Sequence, residues 1–175
     1  MKQYICFQVG EAHYALPLGP IAQVLRFENV TPVPMALPFV EGILNLGGEV
    51  VPVINLRSRF GLERGAPNRR SRVLVVERGG AKHGLLVDGV KEILELEDSS
   101  ILNGGTPLQG LKGELVDGIA KVREHLVIIL NGSRLLAAES LGRQSPGPGR
   151  DESEVEEVEE VEEVEEVEEA GAGRP

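Results

Sequence analysis

The amino-acid sequence predicts an all-β fold made of two small five-stranded barrels, and three observations support this fold class. Short runs rich in Val, Ile and Leu alternate with Gly, Pro and Asn, a pattern typical of small barrels and sandwiches. The runs form two series that can be aligned with each other. Aromatic residues make up only 3% of the chain, so the core of such a fold must be aliphatic.

Ten strands are expected, five in each series. The first series comprises 3–9, 13–18, 21–27, 40–46 and 50–55, and the second comprises 72–77, 84–88, 90–96, 116–122 and 126–130. Each series ends with a helix signal, because Asn55 can cap residues 56–60 and Ser133 can cap residues 134–141. A glycine follows each of these segments as a stop signal.

The two series of strands are related by an internal repeat. A shift of 69 residues lays 4–29 on 73–98 without a gap, and a shift of 76 lays 50–55 on 126–131. Identities are few, but the apolar positions and glycines coincide, so we infer an internal duplication. Each copy, at about 65 residues, would be only marginally stable alone. The copies should therefore share an interface, with a groove between them.

The charge pattern divides the chain into three parts. Residues 1–142 form the predicted domain, with copy one at about 3–62 and copy two at about 72–142, and residues 143–150 form a linker rich in Pro and Gly. Residues 151–175 repeat Val-Glu-Glu and contain thirteen acids and one base, a net charge of −12. Residues 1–150 then carry +2 of the chain total of −10. We predict that the acidic tail is disordered.

Several classes of site are not expected. The single cysteine, Cys6, excludes an intramolecular disulfide, and its apolar neighbours indicate a packing role. The histidines, His13, His83 and His125, lack metal-ligand spacing and are expected in exposed turns. No catalytic constellation or cofactor motif is present, so neither a catalytic, a cofactor nor a metal site is predicted. No apolar run approaches the ~20 residues of a membrane span, which favours a cytoplasmic protein without membrane insertion.

A cluster of arginines is the most distinctive charged feature of the body, and we call residues 57–72 the basic segment. Its arginines are Arg57, Arg59, Arg64, Arg69, Arg70 and Arg72, and Glu63 is the only acid among them. The segment could bind nucleic-acid phosphates, although the only aromatic nearby, Phe60, is expected to be buried. A solvated loop or a protein-contact loop is the alternative. The tail either folds back onto this segment, competes there with an acidic partner, or only solubilises the protein.

One stretch of the chain is similar to a known family. Residues 39–62, Phe-Val-Glu-Gly-Ile-Leu-Asn-Leu-Gly-Gly-Glu-Val-Val-Pro-Val-Ile-Asn-Leu-Arg-Ser-Arg-Phe-Gly-Leu, closely resemble the central motif of the CheW-like chemotaxis coupling proteins. The resemblance extends from about Lys2 to Leu141. It implies two intertwined barrels similar to SH3 domains, with no catalytic activity. It also implies a cytoplasmic adaptor at membrane-bound receptor arrays, which connects chemoreceptor tips to the regulatory domain of a CheA-type histidine kinase.

The resemblance also assigns candidate receptor-groove residues by motif position, namely Val24, Arg26, Asn45, Gly47 and Gly48. Two of them depart from the family pattern. Gly47 replaces an arginine that the family usually has, and Arg26 stands where an acid is common. We expect these changes to weaken or retarget receptor contact. The alternative function is a small-barrel nucleic-acid binder that uses the basic segment, which a steep salt dependence of binding would indicate.

Overall fold

The structure, a computed structural model, describes residues 1–34, 37–103 and 113–137. It contains eleven strands and two short α-helices. In chain order these are β1 Lys2–Val9, β2 Ala12–Pro17, β3 Ile21–Arg26, β4 Val40–Leu46, β5 Glu49–Asn55, α1 Leu56–Arg59, β6 Arg72–Arg78, β7 Ala81–Val87, β8 Gly89–Leu96, β9 Ile101–Asn103, β10 Val116–Val122, β11 His125–Leu130 and α2 Gly132–Leu135. Short 3-10 turns lie at Asp98–Ser100 and Gly113–Leu115. All ten predicted strands are confirmed, with ends within three residues of those predicted.

The strands form two sheets, and each sheet contains strands from both copies. One has the order β3-β6-β7-β5-β4, and we call it barrel one. The other has the order β8-β1-β2-β11-β10-β9, and we call it barrel two. The β1–β2 hairpin of copy one therefore lies among strands of copy two, and the β6–β7 hairpin of copy two lies among strands of copy one. The predicted all-β, intertwined architecture is confirmed.

The strand registers agree with the duplication. In barrel one Leu25 pairs with Val73, and in barrel two the residues 69 positions away in each case, Leu94 and Tyr4, pair in the same way. The parallel contacts agree as well, since Val53 pairs with Gly84 and its counterpart Ile129 pairs with Ala15. The two barrels thus repeat one pairing scheme, with their first hairpins exchanged.

In each sheet, the chain that leaves one outer strand pairs at the opposite end of the strand order. In barrel two, β8 leads through Asp98–Ser100 into β9, which pairs with β10 at the opposite end of the strand order. In barrel one, Thr31 follows β3 and forms a bridge to Ile43 of β4. Strand β9 was not predicted, because Ile101, Leu102 and Asn103 are too short a run to give a periodic signal.

Three buried clusters explain why the strands read as nearly continuous apolar runs. One cluster fills barrel one, a second fills barrel two, and the largest contains residues from both sheets. On β1, Tyr4 and Cys6 point into barrel two, whereas Ile5 and Phe7 alternate into the cluster between the barrels. Both faces of β1 are therefore buried. Burial of a side chain as large as Phe7 contributes about 1.5–3 kcal/mol, so this apolar interface stabilises the association of the two barrels.

The two helices are capped by equivalent asparagines. Asn55 accepts a hydrogen bond from Ser58 N at 3.2 Å, which confirms its predicted role. The cap of α2 is Asn131, which accepts from Arg134 N at 2.9 Å, so the prediction of Ser133 as the cap was wrong. The reason is that Asn131 is the repeat counterpart of Asn55, and Ser133 lies inside the helix. Helix α2 ends at Leu135, before the predicted end.

The predicted linker 143–150 and acidic tail 151–175 lie outside the described residues. The same is true of the end of the predicted domain at residue 142. These boundaries stay predictions.

Candidate protein-interaction surfaces

The turn between β4 and β5 presents three of the five predicted groove residues. Gly47 and Gly48 form a two-residue hairpin turn with φ of +61° and +90°, values that glycine adopts readily. Asn45 accepts a hydrogen bond from Gly48 N at 2.8 Å and so fixes the turn. No atom lies within 4 Å of a Cβ built on Gly47. An arginine at this position would therefore extend from the surface without a steric clash.

Strand β3 presents the other two predicted residues. Leu25 packs against the core of barrel one, so the alternation of the strand turns Val24 and Arg26 outward. Val24 is 43% exposed although it is apolar. Its repeat counterpart on β8, Ile93, is 47% exposed. Ile93 was not among the predicted contact residues, although the 69-residue shift aligns it with Val24.

All five predicted residues lie on barrel one, but on two different strands. Val24 and Arg26 pair with Leu74 and Arg72 of β6, whereas Asn45 pairs with Val50 of β5. Strands β3 and β4 are the outer strands of the sheet, and the bridge from Thr31 to Ile43 brings the chain after β3 beside β4. The five residues therefore lie on the same barrel, but they belong to two separate strand pairs, β3–β6 and β4–β5, and are not opposite one another.

The basic segment is partly neutralised by acids that are distant in sequence. Arg57 Nη2 lies 2.9 Å from Asp88 Oδ2, and Arg64 Nη2 lies 2.8 Å from Glu41 Oε1. Hydrogen bonding to Asp88 raises the pKa of Arg57. Neither Asp88 nor Glu41 was recognised as a partner from the sequence, because Asp88 lies between β7 and β8 and Glu41 lies on β4, both outside the basic segment.

Arg59 is also engaged within the protein. Its guanidinium lies 5.8 Å from the centre of the Phe39 ring, a distance at which a cation–π contact forms. Burial lowers the pKa of Arg59. Of the remaining arginines of the segment, Arg69 and Arg70 are exposed on the loop that precedes β6, and Arg72 is the half-buried first residue of β6.

Asp88 connects three parts of the chain. One of its carboxylate oxygens accepts from Gly10 N at 2.7 Å, in the turn between β1 and β2, and the carboxylate also binds Arg57 of α1. Asp88 itself joins β7 to β8, so it ties the exchanged β1–β2 hairpin to the helix of copy one. Asp117 accepts from Asn131 at 3.0 Å, as Glu41 does from Asn55.

The cysteine is buried, and the three histidines lie on strands. Burial in barrel two raises the pKa of Cys6 to about 11, which supports a packing role. The expectation of exposed turn histidines was wrong for His13 and His83, which lie within β2 and β7, are half-buried and have pKa values lowered by burial. His13 and His125 meet edge to face across β2 and β11, with ring centres 4.9 Å apart. Within the described ranges, no group of three or more candidate ligands could hold a metal ion.

Barrel two has its own exposed apolar residues. Ile93 on β8, Leu102 on β9 and Leu126 on β11 are 47%, 71% and 64% exposed. These three side chains lie on different strands of barrel two, and each presents apolar surface to solvent. Among the described residues, no helix is long and apolar enough to cross a bilayer.

Comparison with known proteins gives a consistent result. A family model described as the CheW-like domain matches residues 3–140. The chemotaxis protein CheW of Helicobacter pylori is 32% identical over 134 residues, covering 77% of this chain and 81% of that protein. The CheW of Treponema pallidum is 24% identical over 143 residues, covering 79% and 84%. The crystal structure of the scaffolding protein TtCheW from Thermoanaerobacter tengcongensis superimposes with a TM-score of 0.72 at 32% identity, covering 79% of this chain and 90% of that one.

Proposed function

Because this chain belongs to the CheW-like domain family, we propose that it is a non-catalytic adaptor that couples chemoreceptors to a CheA-type histidine kinase. The adaptor works in the cytoplasm, at the inner side of membrane-bound receptor arrays. The observation that best supports this proposal is the rigid two-barrel body with solvent-exposed residues on each barrel, in a family of scaffolding and coupling proteins.

The structure suits an adaptor because the barrels cannot move independently. Each barrel contains a hairpin from the other copy, and a shared buried cluster of sixteen residues fills the space between the two sheets. A partner bound to one barrel is therefore held in fixed orientation to a partner on the other. Such a body couples two proteins when it binds the different conformations of each partner with different affinities.

We assign the receptor contact to barrel one and the kinase contact to barrel two. The receptor surface comprises Val24 and Arg26 on β3 and the turn residues Asn45, Gly47 and Gly48. The kinase surface comprises Ile93, Leu102 and Leu126, which suit packing of one barrel against another. Gly47 leaves the turn without the cation that the family usually has. We therefore expect weaker receptor contact than for a typical family member, or a different receptor.

Nucleic-acid binding is not favoured by the arrangement of the basic segment. Arg57 and Arg64 are paired with carboxylates, and Arg59 is packed over Phe39. Phe60 is 2% exposed, so it offers no surface on which a base could stack. Half of the six arginines are therefore occupied, and the aromatic partner that single-strand binding commonly uses is buried.

Matched substitutions on the two barrels test the proposal. Val24→Lys should weaken binding to a receptor tip at least tenfold and leave binding to a kinase regulatory domain unchanged. Leu126→Lys should have the reverse effect. Both residues are exposed, so both variants should unfold at the same denaturant concentration as the original chain. Binding of either partner is measured by calorimetry on the full chain.

Two results would contradict the assignment. If the original chain shows no saturable binding to either partner, the adaptor function is wrong. If both substitutions weaken both partners equally, the division between the barrels is wrong. Binding to DNA or RNA that falls steeply with salt would instead support the alternative function.

A further inference from the structure

Two clefts with basic walls flank the loop that precedes β6. A cleft of about 720 Å³ on one side of the loop is lined by Arg70, Arg72 and Lys91, among others. A cleft of about 480 Å³ on the other side is lined by Arg26 and Arg69. Both clefts share Asn68 and Ser71 in their walls, so they adjoin. We call the two clefts together the basic groove.

Positive charge is concentrated in this groove. Its walls contain six cations, which are Arg57 and the five named above, and two acids, Asp88 and Glu28. The resulting +4 exceeds the +2 of residues 1–150 as a whole. Asp88 is already paired with Arg57. Within the described part of the chain, no carboxylate lies within 4.0 Å of the other five cations.

The groove is held in shape by hydrogen bonds of its own loop. Arg72 Nη1 donates to the carbonyl oxygens of Arg69 and Ser71, each at 2.8 Å. Asn68 N donates to Ser71 Oγ, and Arg70 N donates to Asn68 Oδ1, each at 2.8 Å. The cations are thus presented by a turn that is already ordered, which lowers the entropic cost of binding an anion.

We propose that the acidic tail, residues 151–175, occupies the basic groove of its own chain. The tail has thirteen acids against one base, which complements a groove of net positive charge. Pairs of glutamates recur every third residue from Glu156 to Glu169, so many alignments place two carboxylates among the arginines. The contact therefore needs no unique register.

The tail is also long enough to reach the groove. Thirteen residues lie between Ala137, the last described position, and Asp151, and the fourteen steps between these two positions span at most about 50 Å. Helix α2 lies beside the end of β6, because Arg78 hydrogen-bonds to Ser133, and the groove lies at the start of that seven-residue strand, about 20 Å away. Tethering at this distance gives a local concentration in the millimolar range, so even a weak contact is populated.

Occupation of the groove would also cover part of strand β3. Arg26 lines the groove, and Val24 lies two residues away on the same face of that strand. The tail would then compete with a receptor for barrel one, and that consequence rests on the proposed function. The docking of the tail on the groove does not, so the two can be tested separately.

A paramagnetic label on the tail tests the docking in the full chain. Glu160→Cys is spin-labelled, since Cys6 is buried and its thiol stays protonated at the pH of labelling. At about 10 mM salt, where the Debye length is about 30 Å, the amides of residues 68–72 and Lys91 should lose at least about twofold more intensity than those of Gly47 and Gly48, at the opposite end of β5 from Asn55. At about 1 M salt the difference should disappear.

Two double variants with equal charge changes separate this contact from general attraction. Arg69→Glu with Arg70→Glu should abolish the selective loss of intensity. Lys2→Glu with Lys121→Glu, at exposed sites outside the groove, should leave it intact. Equal broadening over both barrels, or equal effects of the two variants, would overturn the proposal. So would a single-stranded oligonucleotide that binds these arginines while the label on the tail has no effect on them.

Discussion

Replacement of Gly118 by alanine tests how barrel two closes. A Cβ at this position would lie 2.5 Å from Ile101 Cγ2 and 2.6 Å from the carbonyl oxygen of Leu102. The second atom belongs to the backbone, so relief of the clash requires β9 to move away from β10. That movement would break the pairing of Gly118, Ile119 and Ala120 with residues 101–103. The substitution should therefore detach the closing strand.

The expected cost follows from what is lost. Two hydrogen bonds of the ladder contribute about 1 kcal/mol each, and partial exposure of Ile101 adds about 1 kcal/mol. The free energy of unfolding should fall by about 2–4 kcal/mol, which lowers the melting temperature by roughly 5–15 °C for a chain of this size. Urea denaturation followed by circular dichroism measures the change, because the chain has no tryptophan.

Gly19→Ala is the matched control. Gly19 is exposed, and no atom lies within 4 Å of a Cβ built there, so its substitution should change stability by no more than about 1 kcal/mol. Gly42→Ala, at the equivalent position of barrel one, should be as harmful as Gly118→Ala, because its Cβ would lie within 3 Å of the Thr31 backbone. If Gly118→Ala unfolds at the same urea concentration as Gly19→Ala, the reasoning about closure is wrong.

Three further predictions concern the caps, the cysteine and the β4–β5 turn. Asn55→Ala should lower the free energy of unfolding by about 2–3 kcal/mol and Asn131→Ala by about 1–2 kcal/mol, because Asn55 is 2% exposed whereas Asn131 is half-buried. Glu41 loses the Asn55 donor but keeps Arg64. Equal losses in urea denaturation would contradict this prediction. Burial raises the pKa of Cys6 from 9.0 to about 11, so the unfolded chain loses the thiol proton at a lower pH than the folded chain does. The free energy of unfolding should therefore fall as the pH rises from about 9 to 11, and a Cys6→Ala variant should lose less stability over that range. Gly47→Arg should strengthen receptor binding as measured by calorimetry. It should also lower the free energy of unfolding in urea by about 1–2 kcal/mol, because φ is +61° at this position. Unchanged receptor affinity would exclude this turn from the contact.

The strands were predictable because barrel interiors impose a local pattern. Val73 and Val75, for example, point into barrel one while Leu74 and Val76 pack between the barrels, so the run is apolar throughout. The exchange of hairpins left no such local signal, since the sequence of β1 reads the same whichever copy it pairs with. The intertwined arrangement was expected only from the family resemblance.

The candidate surfaces were less predictable, because exposure and charge pairing depend on distant residues. Arg57 looked free in the sequence, yet its carboxylate partner Asp88 is 31 residues away. The error at Ser133 had a different cause, namely that a local rule for caps was applied without the repeat, which pointed to Asn131. The structure places Val24 and Arg26 on the outer face of β3 and Asn45, Gly47 and Gly48 at the exposed β4–β5 turn, and their assignment to a receptor contact stays a prediction.

The exchanged hairpins determine when this protein can fold and from what it could have arisen. During synthesis β1 and β2 emerge first, but β2 gains its parallel neighbour only when β11 has left the ribosome, more than a hundred residues later. Neither half of the chain can complete a barrel alone. A single ancestral copy could build the same two barrels as a homodimer, with two identical chains trading their first hairpins. The present chain would then be that dimer joined into one molecule, whose halves were free to diverge toward two different partners.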